Sequence, residues 1–463
     1  MDAPRLDPDR LLPADPRTRA VARELYAAVA DAPIISPHGH VDPALLRDDL
    51  PFPDPATLLV SSDHYVTRLL HAGGATLPEL GIGPDAAEPR EVWRRFCAGW
   101  PLFAGTASGG WLRDILARVF ELDRDPSAGN ADELFERMSA RLAEPALRPR
   151  ALFAAARIEV LATTDDPLDP LDVHAQLRDR SLVPGRVIPT FRPDAYLDPA
   201  RPDWNDRVDR LTANDATGFD GYLDALRGRR EHFVRHGAVS ADHGVLQPAT
   251  RELPHGEAAA LFDRLRRGAG EPGDAARFAA AMLFESARMS VDDGLVMTVH
   301  AGVLRDHHVP TWQRFGPDTG HDIPVPVSFT EGLRPLLNAF GTAPGFHLIL
   351  FTVDESTASR ELAPLAGFYP SVFVGAPWWF LDAPDAMLRF RAAVTETAGF
   401  SRGSGFIDDT RAFLSIPARH DVARRVDAGY LARLVVEGRI TPSAAETIAR
   451  DLVDGIPRTA FKL

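Results

Sequence analysis

The chain has 463 residues, 45% of them hydrophobic and 25% charged, with a formal net charge of -14. That balance is ordinary for a globular chain, and the negative excess gives counterion-release binding to nucleic acid no basis. A single cysteine, Cys97, excludes intrachain disulfides, thiolate-rich zinc sites and iron–sulfur clusters, and it suits a reducing cytoplasm.

Lysine is almost missing: Lys462, next to the C-terminus, is the only one. Schiff-base chemistry, a pyridoxal-phosphate lysine and a Walker phosphate loop each need an internal lysine, so all three are excluded. Cationic chemistry falls to arginine, whose rigid fork matches carboxylates. The first residues are rich in charge and proline and lack the apolar stretch of a signal peptide. No run approaches the roughly 18–20 apolar residues of a membrane span, so neither membrane nor nucleic acid is expected as a partner.

From the start of the chain, residues 15–30 read as an amphipathic helix opened by Asp15-Pro16. Eight short β-rich runs follow, at 34–41, 157–164, 186–192, 237–243, 295–302, 346–352, 371–377 and 405–411. Helical patterns at 220–235, 257–267 and 275–289 lie between them. Apolar strands alternating with helices imply parallel βαβ units, and eight of them match an α/β (β/α)8 barrel. The competing doubly wound sheet would normally carry a glycine-rich βα turn, and the chain has no G-x-G-x-x-G. Residues 42–149, with helical stretches at 89–98, 111–122 and 131–142, read as a mostly helical insertion after the first strand. The expected divisions are 1–41 (helix and first strand), 42–149 (insertion), 150–416 (remaining barrel) and 417–463 (a helical tail with an N-cap at Thr441-Pro442-Ser443).

His38-Gly39-His40 closes the first run, and residues two apart on a strand share a face, so both imidazoles can converge on one cation. Asp409 lies in the eighth run, which neighbours the first in a closed barrel. Two imidazoles and a carboxylate suit a divalent metal such as Zn²⁺ with a position left for substrate. Barrel active sites lie at these strand ends. His300, ending the fifth run, is either a further imidazole near the metal or a substrate contact. Arg192 and Arg411 offer bidentate carboxylate recognition, and Tyr65 can polarise or protonate a sugar oxygen. Ordinary core or ion-pair roles compete for each residue taken alone, and for Trp378 in Trp378-Trp379-Phe380.

In order and wording these motifs resemble the uronate (glucuronate) isomerases of the amidohydrolase superfamily. The resemblance rests on His38-Gly39-His40, Asp63-His64-Tyr65, Thr163-Thr164-Asp165-Asp166-Pro167 and Phe191-Arg192-Pro193-Asp194. It continues through His300-Ala301-Gly302 with Leu304-Arg305, Trp378-Trp379-Phe380, and Asp409-Thr410-Arg411 with Phe413-Leu414-Ser415, covering residues 15–430. It implies a barrel with a helical elaboration and conversion of D-glucuronate to D-fructuronate and D-galacturonate to D-tagaturonate. By matching position it implies a metal set of His38, His40 and Asp409, one Zn²⁺, and catalytic Asp409, His38 and Tyr65. Arg192, Arg411, His300, His64, Trp378 and Asp165 are then substrate contacts. A homo-oligomer is expected. The chain departs from family wording at Asp306-His307-His308, where asparagines are usual, at Ser36-Pro37 and at Asp408. Family relatives that bridge two metals use a carboxylated lysine, which this chain lacks, so a mononuclear site is favoured. A mononuclear hydrolase or decarboxylase on the same barrel, and a sugar-acid binding protein without activity, are the competing readings.

Overall fold

A computed structural model describes residues 6–213 and 218–463. Among the described residues, seven parallel strands stand around a common axis: β1 (Ile34–Ser36), β2 (Ile158–Ala162), β3 (Arg186–Ile188), β4 (Ser240–Val245), β5 (Val296–Ala301), β8 (Leu348–Thr352) and β9 (Val372–Val374). The remaining two, β6 (Val303–Leu304) and β7 (Ile323–Pro324), pair as an antiparallel hairpin just after β5. The ladders run β1-β2-β3 and β4-β5-β8-β9. Parallel pairing needs long crossovers, and helices such as Asp172–Asp179, Gly218–Arg235 and Asp274–Asp293 supply them. Strands β5 and β8 are buried along their whole length, as expected when helices cover the outside and side chains fill the inside.

The ring closes at two places without a full ladder. Phe191 bridges the halves: its N–H donates to Ser240 O at 3.2 Å and its carbonyl accepts from Asp242 N at 2.8 Å. On the far side Ser404 N bonds Val374 O at 2.9 Å, and His40 N bonds Thr410 O at 3.0 Å. The eighth run, expected as a strand at 405–411, therefore forms no strand; the one bridge on this side, Val374 to Gly403, falls just before it. Gly405 at φ +74° and Asp409 at φ +42° turn the backbone out of the β region there, which breaks ladder pairing. The first run is likewise shorter than 34–41, ending at Ser36.

Between β1 and β2 the chain is helical, with Pro89–Ala98, Ala107–Arg118 and Ala131–Leu142 among its elements. Trp93, Phe96, Leu112, Leu116, Leu134 and Met138 bury one face of these helices in a shared core. The opening helix, Pro16–Ala27, is capped by Asp15, which accepts from Thr18 N. Its Ala22 and Leu25 pack on Ala428, Leu431 and Ala432 of the long helix Ile416–Val436. That helix is buried nearly all round despite carrying Arg419, His420, Asp421, Arg424 and Arg425, because each charge finds a partner. The tail ends in Pro442–Val453, capped by Thr441, and Gly455–Phe461. No helix among the described residues is long and apolar enough to cross a membrane.

Candidate active site at the C-terminal ends of the strands

Strand β1 delivers His38 and His40 to the C-terminal mouth of the barrel, and the closing segment brings Asp409 against them. His40 Nε2 lies 2.9 Å and His38 Nε2 3.5 Å from Asp409 Oδ1, while His300 Nε2 from the end of β5 lies 3.8 Å from Oδ2. Asp409 holds a left-handed backbone. Aspartate tolerates this better than most residues, and the strain re-aims its carboxylate inward. Gly39 sits where an added Cβ would meet Ala162 O at 3.4 Å, so the loop between the two histidines lies tight on β2.

Asp242, on β4, was not singled out by sequence reasoning, although an acid inside the apolar run Val239-Ser240-Ala241-Asp242-His243 is the signal for an inward-facing group. It is fully buried and organises the floor of the site. Its Oδ1 accepts from His300 Nδ1 at 2.6 Å and from Thr298 Oγ1 at 2.7 Å, and its Oδ2 stands 3.2 Å from Arg192 Nη1 and 4.0 Å from His38 Nε2. Arg192 also donates through Nε to Asp194 at 2.9 Å. Much of its fork is thus engaged within the protein.

The electrostatics suit a cation. Burial pushes His38 down to about 4, against the pull of Asp242 and Asp409, so its imidazole is neutral near pH 7. Burial would raise Asp409, but the facing imidazoles of His38, His40 and His300 override it and hold the carboxyl well below the usual range. Neutral imidazole and ionised carboxylate are the states that bind divalent metals. His300 Nε2 is buried without a hydrogen-bond partner while its ligating atom shares one small volume with those of His38 and Asp409. The donor set therefore fits a divalent cation.

Aromatic walls surround this group. His300 stacks on Phe351 with ring centroids 4.1 Å apart and meets Trp378 edge-on at 4.7 Å. Tyr65 lies on the insertion helix His64–Ala72, started by Asp63, which accepts from Tyr65 N. Its hydroxyl donates to Asp382 at 3.0 Å, and Arg419 donates to the same oxygen at 2.8 Å. Burial and the Asp382 charge hold the phenol well above its ordinary value. Sequence reasoning missed Asp382 and Arg419, because their pairing joins the loop after β9 to a helix 37 residues away. His64 stacks beside Tyr65 and is pushed down to about 4 by burial. Arg411, half-exposed, meets Asp318 at 3.2 Å. Asp165 stands apart, bonded to Thr163 Oγ1 at 2.7 Å and to Thr190 N at 3.2 Å, with burial pushing it up to about 7.

Comparison with known proteins finds relatives along nearly the whole chain. The family profile described as glucuronate isomerase matches residues 17–457. The chain is 50% identical over 461 residues to a uronate isomerase of Corynebacterium efficiens, covering 98% of each chain. It is also 50% identical over 462 residues to one of Rhizorhabdus wittichii, covering 99% of each. Its fold superposes on the crystal structure of glucuronate isomerase from Caulobacter crescentus with a TM-score of 0.96 at 47% identity, covering 99% of this chain and 97% of that one. The uronate isomerase of Thermotoga maritima gives 0.93 at 27% identity, covering 99% and 100%. With a barrel mouth that gathers His38, His40, His300 and Asp409 and a likeness running the whole length of the sequence, the chain belongs to the glucuronate isomerase family.

Proposed function

We propose that this chain interconverts the aldehyde and ketone forms of a hexuronic acid, D-glucuronate with D-fructuronate and D-galacturonate with D-tagaturonate, by proton transfer through an enediol. The observation that carries this reading is the Asp409 carboxylate, ionised and within 2.9–3.8 Å of three imidazoles at the barrel mouth.

In this reading Asp409 removes the C2 proton and returns it to C1. The imidazoles that keep Asp409 ionised also weaken it as a base, so its efficiency depends on a substrate fixed against it. His38, neutral through burial, takes up the proton released when the sugar ring opens. Tyr65 passes a proton between the C1 and C2 oxygens. Its partner Asp382, raised by burial, is able to hold that proton. Arg411, more open than Arg192, receives the substrate carboxylate, with His64 and Trp378 shaping the pocket. Arg192 acts mainly by fixing Asp242 and Asp194.

His38, His40 and Asp409 would hold one divalent cation, Zn²⁺, with His300 as a further donor. When bound, it supplies electrophilic stabilisation of the oxyanion that develops on the substrate.

The direct test is incubation with D-glucuronate and with D-galacturonate, with and without chelator, following ketouronate formation. Release of CO₂ or hydrolysis without a ketouronate would sink the proposal. In D₂O the product should carry deuterium at C1 to the extent that the proton held by Asp409 exchanges with solvent before its return; label absent at every pH and turnover number marks either a proton shielded on the base or a hydride transfer.

A further inference from the structure

The loop between β6 and β7 holds a second group of ligating side chains that the isomerase reading leaves unused. Asp306 stands at its start and His321 and Asp322 at its end, and their ligating atoms lie within 4.8 Å of one another. Both ring nitrogens of His321 are shut off from solvent and have no hydrogen-bond partner, and Asp306 Oδ1 is in the same condition. These two unpaired groups face each other, His321 Nε2 standing 4.0 Å from Asp306 Oδ1. Unpaired buried polar atoms cost free energy, and a histidine with neither nitrogen bonded is uncommon in a finished core.

Asp322 is already oriented. Its Oδ1 accepts from Asp306 N at 2.8 Å and its Oδ2 from Arg305 Nη1 at 2.9 Å. Each oxygen keeps a second lone pair, so the carboxylate is fixed in place yet still able to ligate. Asp306 adopts a left-handed backbone, φ +54°, which turns its side chain back toward the loop's other end. Burial and the neighbouring Asp322 both disfavour its charge, a penalty that a cation between them would relieve.

We propose that Asp306, His321 and Asp322 form a second divalent-cation site, distinct from the Asp409 group, that clips together the two ends of the loop. One imidazole and two carboxylates suit a borderline transition ion of the Zn²⁺ class better than Ca²⁺, which takes oxygen donors almost alone. Donors around tetrahedral zinc stand roughly 3.3 Å apart, so the three side chains need only a small inward shift. The clip has a mechanical role. The same loop carries Asp318, which meets Arg411, and Gly320, whose Cα lies so close to the helix His64–Ala72 that an added Cβ would stand 2.9 Å from Arg68. Binding at its neck holds the loop against both.

The test uses full-length protein stripped by chelator and titrated calorimetrically with Zn²⁺, with circular dichroism to verify folding. The parent chain should bind two ions. His321→Phe, which fills the same space without a donor, and Asp306→Asn, which keeps the size, should each bind one. A His38→Asn/His40→Asn chain should retain one ion and still gain thermal midpoint when Zn²⁺ is added. A parent that binds a single ion means that His321 serves only as an internal ion-pair partner, and this overturns the proposal. So does a second ion that survives both His321→Phe and Asp306→Asn.

Discussion

Asp242 Oδ1 accepts the Nδ1–H of His300 at 2.6 Å, and that bond decides which nitrogen of the ring faces Asp409. With Nδ1 committed as donor, Nε2 presents a lone pair to the site. Such a carboxylate behind a ligating imidazole fixes its tautomer and raises its basicity. Asp242→Asn keeps the shape but removes the charge that also faces Arg192 and His38. Metal affinity should fall about 10–100-fold, with a matching fall in turnover at limiting Zn²⁺. Unchanged affinity by titration would show that the Asp242 charge is unimportant.

Asp409→Asn should abolish turnover while leaving the circular dichroism spectrum intact, since asparagine accepts the left-handed backbone that this position requires. Asp409→Val, by contrast, should also destabilise the fold by about 1–3 kcal/mol, because a branched side chain is strained there. Equal stability of the two variants by denaturant titration would contradict the strain argument.

Tyr65→Phe removes the hydroxyl while Arg419 continues to hold Asp382. The fold should therefore persist and kcat should fall about 10²-fold or more, the usual size of a general acid–base contribution. KM should change far less. A loss confined to KM would make Tyr65 a binding residue only.

Arg411→Lys keeps a positive charge but loses the planar fork. KM for a hexuronate should rise about tenfold. The preference for the uronate over the aldose of the same configuration, which has no carboxylate, should shrink correspondingly. If both substrates are weakened equally, Arg411 does not hold the carboxylate.

Stability should drop as pH falls below the normal histidine range. His64 and His174 are each pushed down to about 4 by burial. Between 6.5 and about 4 the unfolded chain binds protons that the native chain refuses, so native stability decreases as pH is lowered through this window. Asp165 works in the opposite sense. Its carboxyl is raised to about 7, so it contributes stability at low pH that is lost as pH climbs from its unfolded value toward 7. Two histidines outweigh one carboxyl, and Asp165→Asn should steepen the acid-side loss measured by urea denaturation at a series of pH values.

The periodic parts of the chain were legible in the sequence. Helices at 89–98 and 131–142 fall where their apolar spacing put them, and the buried strands β5 and β8 announce themselves as mostly apolar runs, the first interrupted by Thr298 and His300 and the second closed by Thr352. The pairing of His38 and His40 with a carboxylate 369 residues downstream from His40 could be anticipated only through barrel closure and family wording. Residues 405–411 misled because Phe406 and Ile407 have strand-forming side chains, whereas the left-handed backbones of Gly405 and Asp409 are a tertiary outcome. Asp242, Asp382 and Arg419 went unnoticed for a related reason. A single charged residue in an apolar context carries no period, and its partner is chosen by packing between distant segments.

The incomplete pairing around residues 402–411 has a consequence for how the molecule fails. His38 and His40 stand on one side of that junction and Asp409 on the other, with His40 N to Thr410 O as the backbone bond that ties them at the mouth. Thermal breathing should part these three side chains before the helices outside loosen. Warmed protein should therefore lose its catalytic competence several degrees below the temperature at which its helices melt, and amide exchange at His40 should mark the point where the cylinder comes unlatched.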